Sequence, residues 1–176
     1  MQCGVAVISK VLIKLIKLSI AFFIGLFIGT ALLLRYESTS NKPWSWDSPP
    51  IIANCYGDDF NNLYVVRGVD YWVLRNEEIA FIIDKPPNSV CKHDFLDGFI
   101  ILKKGVMKND STLAYTKRKI RLGSIRASTI YFSPGSFKLE LLVEHELGHA
   151  FGYQHTDKKG HIMHPEYENM GKDSEY

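Results

Sequence analysis

The hydrophobic pattern separates an apolar N-terminal run from a domain in which apolar and polar residues alternate. The run from Leu18 to Leu34 is uncharged, ends at Arg35, and follows three lysines, Lys10, Lys14 and Lys17. About 17 apolar residues suffice for a short membrane-spanning helix, and the positive charge before the run places the N-terminus in the cytoplasm. Residues 1–35 therefore predict a signal anchor that exports the rest of the chain. A signal peptide cut near residues 29–31, giving a secreted protein, is the alternative.

Small residues recur at every fourth position of the run, at Ala21, Gly25 and Gly29. This spacing lets two transmembrane helices approach closely, which favours a weak homodimer. Small residues are also common in membrane helices generally, and that interpretation needs no partner.

Residues 36–50 are rich in Ser, Asn, Pro and Trp and show neither helical nor strand periodicity, which predicts a linker. Residues 51–176 form the expected exported domain, where strand-length apolar runs alternate with helical periodicity. The pattern predicts strands at 51–56, 79–84, 99–102, 112–120 and 128–133, and helices at 60–74 and 137–151.

A strand followed by a helix and another strand favours a right-handed parallel crossover. The expected fold class is therefore α+β with α/β-like character. It has a mixed, mostly parallel five-stranded sheet, two main helices and a short C-terminal subdomain, preceded by one transmembrane helix. The fourth strand is the expected edge, because residues 103–126 carry one acid against many Lys and Arg, and lysine-rich edges resist aggregation. Attraction of an acidic substrate or of anionic lipid is the functional alternative.

Composition limits the remaining possibilities. A chain of 176 residues allows one domain plus a targeting segment, and a net charge of +2 gives no reason to expect nucleic-acid binding. Cys55 and Cys91 both fall in the exported part, where an oxidising compartment favours a disulfide. Two buried free thiols are the alternative.

A three-histidine motif from His145 to His155 carries the candidate chemistry. It reads His-Glu-Leu-Gly-His-Ala-Phe-Gly-Tyr-Gln-His, a pattern that composition alone would give in roughly 2 of 100,000 shuffled chains. His145 and His149 lie one helical turn apart, so both imidazoles can bind one zinc ion. Gly152 lets the chain leave the helix and bring back His155 as the third ligand. Glu146 is the expected general base, which takes a proton from the water that zinc activates.

The motif, together with Met163 and Pro165 shortly after it, resembles the metzincin metallopeptidases and in particular their matrixin branch. The likeness is close over residues 141–167 and rests only on the order of elements over residues 51–140. It implies an endopeptidase that holds one catalytic zinc ion and cleaves protein or peptide substrates, and the apolar run at the N-terminus predicts that this enzyme is anchored in a membrane.

The resemblance also assigns the substrate pocket. Met163 would form a hydrophobic floor under the zinc, and Pro165 to Tyr167 a wall of the pocket for the side chain after the scissile bond. Leu141 would help to shape that pocket, although core packing explains it equally well. The edge strand would hold an extended peptide by strand addition.

Three family features are not expected here. A second, structural zinc has only His93 outside residues 145–164 to bind it. Calcium is possible but unsupported, because Asp94, Asp97 and Asp157 are isolated acids. Nothing between Arg35 and Ile51 resembles the cysteine-containing propeptide of the family. His161 and His164 are expected to be solvated loop residues rather than ligands.

Two other functions remain open from the residues alone. One is a membrane-tethered binding or assembly protein that keeps the zinc fold without turnover. The other is an enzyme that acts on another envelope polymer, such as peptidoglycan. The intact Glu146 disfavours the first, and the type of zinc motif disfavours the second.

Overall fold

The computed structural model describes residues 17–27, 41–107, 109 and 111–172, which fall into two compact units, Met1–Ser40 and Asn41–Tyr176. In the first unit residues 17–27 form a helix whose side chains are exposed. No helix among the described residues is both long and apolar enough to cross a membrane. The predicted span from Leu18 to Leu34 lies partly outside the described residues. The small-residue position Gly29 lies wholly outside them.

The second unit is built on a six-stranded sheet. Its strands are β1 (Ser45–Trp46), β2 (Ile51–Asn54), β3 (Phe81–Ile83), β4 (Phe99–Lys104), β5 (Ala114–Arg121) and β6 (Ser124–Phe132). Their order is β1-β6-β4-β2-β3, and β5 pairs with β6. All pairs are parallel except β5 with β6, which confirms the prediction of a mostly parallel sheet. β2 and β4 are nearly continuous apolar runs, which suits strands buried on both faces of a sheet.

Among the described residues of this unit, three α-helices accompany the sheet, namely α1 (Asn62–Val73), the short α2 (Asn88–Cys91) and α3 (Leu142–Phe151). α1 connects β2 to the parallel strand β3, so the predicted crossover is present. Asn61 caps α1 because its side-chain oxygen accepts a hydrogen bond from the Leu63 amide. A disulfide between Cys55 and Cys91 ties the end of β2 to α2, as predicted.

α1 fixes the position of α3, the helix that carries the histidine motif. A Cβ atom on Gly68 would lie 2.8 Å from Leu147 Cδ1 and 3.0 Å from Val143 Cγ1, so α3 side chains pack directly against the α1 backbone at this glycine. The Trp72 indole donates a hydrogen bond of 2.6 Å to the Glu144 carbonyl. The Glu144 carboxylate is 1% exposed and accepts a hydrogen bond of 2.6 Å from Arg67 Nε.

Two predicted segments are wrong, and the sheet has six strands where five were predicted. The single helix predicted over 137–151 is a 3-10 turn, Ser136–Lys138, followed by α3, because Leu139 is extended and Leu141 adopts a left-handed conformation with φ 65°. The segment predicted as a linker contains β1, which pairs with β6. A two-residue strand is too short to show the alternation that predicts strands.

The predicted edge strand is confirmed, since β5 pairs with β6 alone among the described strands. Successive side chains on a strand point to opposite faces. On β5 the exposed Lys117 and Lys119 share one face, while Thr116 and Arg118 point to the other, toward α3. This strand forms one side of the site described next.

Candidate metal centre

The three motif histidines converge at the C-terminal end of α3. His145 and His149 lie on one face of the helix, and Gly152 ends it with φ 112°. A Cβ atom at Gly152 would overlap the Trp44 carbonyl, so both the backbone angle and the available space require glycine. The chain then turns back and brings His155 Nε2 within 3.0 Å of His149 Nε2 and 3.3 Å of His145 Nε2.

Backbone carbonyls orient the first two imidazoles. His145 Nδ1 lies 2.8 Å from the Ile162 carbonyl oxygen, and His149 Nδ1 lies 2.9 Å from that of Tyr153. A carbonyl only accepts, so each Nδ1 carries the proton and each Nε2 presents a lone pair to the shared point. Ligands about 2 Å from a tetrahedral zinc ion are roughly 3.3 Å apart. The observed spacings and the three nitrogen donors therefore fit zinc.

Burial keeps these imidazoles neutral, which is the form that binds metal. Burial lowers the pKa of His145 to about 4 and that of His149 to about 3, and neighbouring histidines lower both further. The pKa of the more exposed His155 is also lowered, mainly by burial.

Glu146 directly follows the first ligand, His145, and its carboxylate contacts β5. Its Oε2 accepts a hydrogen bond of 2.5 Å from the Thr116 hydroxyl on β5. Burial raises the pKa of Glu146 to about 7, while the Thr116 hydrogen bond and the Arg118 charge act in the opposite direction. A group with such a pKa can both accept and return a proton near neutral pH.

The loop after His155 packs against α3 through Met163. Met163 is fully buried, and its sulfur packs where a Cβ on Gly148 would be, so the methionine lies directly against α3. The Met163 carbonyl accepts a hydrogen bond of 3.0 Å from the Thr156 amide, which joins this loop to the one that carries His155.

The expectation that His161 and His164 are solvated is wrong, because they are only 7% and 6% exposed. The Met163 amide donates to His161 Nδ1 at 3.0 Å, and the Glu166 amide donates to His164 Nδ1 at 3.1 Å. Their rings therefore satisfy backbone amides in the methionine turn. Sequence alone gave no signal for this burial, because polar residues in a loop are usually exposed.

A cleft of about 820 Å³ runs between β5 and the motif. Pro165 and Tyr167 line it, and their role in binding the residue after the scissile bond stays a prediction. Leu141 belongs to the hydrophobic core, and its neighbour Leu142 lines the cleft instead. The contacts of Leu141 thus favour core packing, the alternative left open above.

Two functional candidates on β5 were missed by sequence reasoning. Thr116 binds Glu146, and Arg118 Nη1 donates to the carbonyl oxygens of His149 at 2.8 Å and Tyr153 at 3.3 Å. Both residues lie some thirty positions before the motif, and only the packing of β5 against α3 brings them to it. The one available signal is the alternation of β5, which places them on a single face.

A parallel sheet that carries a three-histidine helix and a buried methionine turn defines a metzincin-type zinc peptidase fold. The matrixin family model matches residues 69–175, and the chain belongs to the matrixin family. That family comprises zinc metalloendopeptidases, and His145, His149 and His155 form a group able to hold a metal ion. A search of curated proteins found no match.

Proposed function

We propose that this chain is a membrane-anchored zinc endopeptidase in which Glu146 acts as the general base. The observation that carries the proposal is the convergence of three lone-pair nitrogens beside a buried carboxylate in an open cleft, with His155 Nε2 3.0 Å from His149 Nε2 and 3.3 Å from His145 Nε2. A purely structural zinc site has no use for a buried acid next to its first ligand or for a cleft.

Zinc bound by His145, His149 and His155 would polarise the scissile carbonyl and make the attacking water more acidic. Glu146 accepts the proton from that water and passes it to the leaving amine. Thr116 keeps the Glu146 carboxylate in position through its hydrogen bond of 2.5 Å. Ile162 and Tyr153 hold the ligand rings in the tautomer that binds metal.

The substrate is a peptide in extended form. The outer edge of β5 offers backbone donors and acceptors along the cleft, which suits strand addition. Pro165 and Tyr167 flank the pocket for the side chain that follows the scissile bond, with Leu142 on its helical side.

The decisive test compares Glu146→Gln with the wild-type chain on a panel of denatured proteins. We expect the variant to bind one equivalent of zinc but to lose activity by about 100- to 10,000-fold, the usual contribution of a general base. Exposed Glu78 provides the matched control, and Glu78→Gln should keep full activity. Wild-type cleavage by Glu146→Gln would disprove the assignment.

The same panel separates the alternative functions. Cleavage of proteins that a chelator abolishes supports the peptidase. Release of cell-wall fragments without protein cleavage would instead indicate a hydrolase of another envelope polymer, and no turnover with bound zinc would indicate a binding protein.

The anchor is the segment 1–35, which places the catalytic domain outside the cytoplasm. After alkaline extraction the protein should stay with the membranes. In a separate experiment on intact cells, protease added from outside should digest the catalytic domain. Release into the supernatant would indicate cleavage and secretion. A Gly25→Leu variant tests the weak homodimer, because bulk at that position should reduce cross-linking.

A further inference from the structure

The charge of the cleft changes along its length. Thr116 contacts Glu146 at the reaction centre, while Arg118, two residues further along β5, contacts the end of α3 at His149. β5 and α3 therefore run side by side, with Leu142 at the start of α3 and Arg118 against its last turn. Among the described residues that line the cleft, Arg118 is the only Lys or Arg, and Glu166 lies with Pro165 in its wall.

Arg118 is held in a fixed orientation. Its Nη1 donates hydrogen bonds to the carbonyls of His149 in α3 and of Tyr153 in the following turn. Its guanidinium lies 4.8 Å from the centre of the Trp44 ring. The side chain is half-buried, so it loses little further entropy when it binds a ligand.

The two carbonyls occupy only one of the three guanidinium nitrogens. A guanidinium presents five N–H donors in a planar fork that matches a carboxylate. Burial, which lowers the pKa of Arg118, leaves this cation partly desolvated while still charged. A partly desolvated cation gains more from an anion than a fully hydrated one does. Gln154, at the same end of the cleft, offers an additional amide donor.

We infer that Arg118 and Gln154 form a subsite that selects an acidic side chain in the substrate segment before the scissile bond. The inference rests on the proposed peptidase function, in which the Pro165–Tyr167 end of the cleft receives the residue after that bond. Side chains of an extended peptide advance about 3.4 Å per residue. Arg118, two strand positions from Thr116, therefore faces a substrate residue two or three positions before the cleaved bond.

The test uses the full-length, zinc-loaded protein and matched peptides that differ only by Glu or Gln at one position. For the wild type, kcat/KM should be about ten-fold higher with Glu than with Gln at the second or third position before the bond, as for a charge-assisted pair. The Gln peptides also report basal peptidase activity. If neither peptide is cleaved, the proposed function fails; if both are cleaved equally, only the acidic subsite fails.

Variants separate the charge of Arg118 from its support of α3. Arg118→Gln should reduce the Glu-to-Gln ratio to about one, and Arg118→Lys should retain part of it because the charge remains. Lys119→Gln, next along the strand but on the opposite face, should leave the ratio unchanged. An unchanged ratio in Arg118→Gln would overturn the proposal.

A measurement on the wild type covers the case in which Arg118→Gln does not fold. Raising the ionic strength should lower the Glu-to-Gln ratio at least about two-fold while kcat/KM for the Gln peptide changes little, because salt screens a partly exposed pair. A ratio that does not respond to salt would contradict an ionic subsite.

Discussion

The parallel strands and the metal-site segment bury very different side chains. In β2, β4 and β6 the fully buried positions are mainly aliphatic, such as Ile52, Ile100 and Ile130. In residues 142–164 the buried side chains include Glu144, Glu146 and three histidines, His145, His161 and His164. Apolar burial stabilises without directional requirements. Buried polar groups destabilise unless each one finds a partner.

The metal-site segment meets this requirement almost completely. Arg67 pairs with Glu144, Thr116 with Glu146, and backbone groups pair with His145 and His149. The three facing Nε2 atoms are the exception, because the lone pair of His155 Nε2 lies 3.0 Å from His149 Nε2 and 3.3 Å from His145 Nε2, and such lone pairs repel one another unless a cation lies between them. The sheet should therefore fold independently of metal, whereas the metal-site segment should depend on it.

The largest expected change in stability comes from a substitution in the hydrophobic core. Phe60 is 2% exposed and stacks on Phe137 at 4.4 Å, so Phe60→Ala should lower the free energy of unfolding by about 4 kcal/mol. Zinc affinity of the folded variant should not change. Denaturant unfolding and zinc titration measure the two quantities, with Leu74→Ala, at a side chain 81% exposed, as the near-neutral control. A loss of zinc affinity in folded Phe60→Ala would show that the two regions are coupled.

Removal of zinc acts on the other region. Binding at 100 times the dissociation constant stabilises by about 3 kcal/mol, so chelation should lower the unfolding free energy by that amount. Hydrogen exchange should rise in residues 152–170 and stay constant in β2 and β4. Equal increases in both regions would remove the proposed difference between them.

Sequence reasoning succeeded in each region where the signal was local. β2 begins with three consecutive apolar residues and β4 with four, and the three histidines lie within eleven residues, so neither signal depends on distant parts of the chain. The break before α3 could not be predicted, because a 3-10 turn followed by a helix buries the same apolar positions as one continuous helix.

The missed site residues depend on tertiary structure. Arg118 reaches the site only because β5 and α3 pack side by side, and β1 forms only because β6 is there to pair with it. Trp46 shows the same dependence, since its indole donates to the Ala150 carbonyl, 104 residues away. Contacts at such separations leave no periodicity in the sequence.

An intermediate effect is expected at the ion pair that joins α1 to α3. Arg67→Met removes the cation beside the buried Glu144, and a buried charge without a partner is strongly destabilising. Because the Arg67 side chain is 41% exposed, solvent screening reduces the expected loss to about 2 kcal/mol. The double variant Arg67→Met/Glu144→Gln should regain most of that loss in denaturant unfolding. Equal stability of the single and double variants would contradict a charge effect.

The smallest expected effect is the pH dependence of the metal-free protein. The pKa values of His145 and His149 fall from 6.5 to about 4 and about 3 on folding, so the unfolded chain binds more protons below pH 6.5. Stability from these histidines is therefore lost as the pH falls through that window. Glu146 opposes them, because its pKa rises from 4.5 to about 7 and the folded state takes up its proton.

These opposing shifts make Glu146→Gln informative without any activity measurement. The metal-free wild type should show a modest decrease in melting temperature between pH 7 and pH 5, since two histidines outweigh one carboxyl group. In metal-free Glu146→Gln the opposing uptake is absent, so the decrease should be steeper. His149→Gln should be shallower than the wild type, because one of the two destabilising protonations is removed. A Glu146→Gln slope equal to or shallower than that of the wild type would show that the buried carboxyl group does not take up a proton on folding. The pH response of the metal-site segment would then come from the histidines alone.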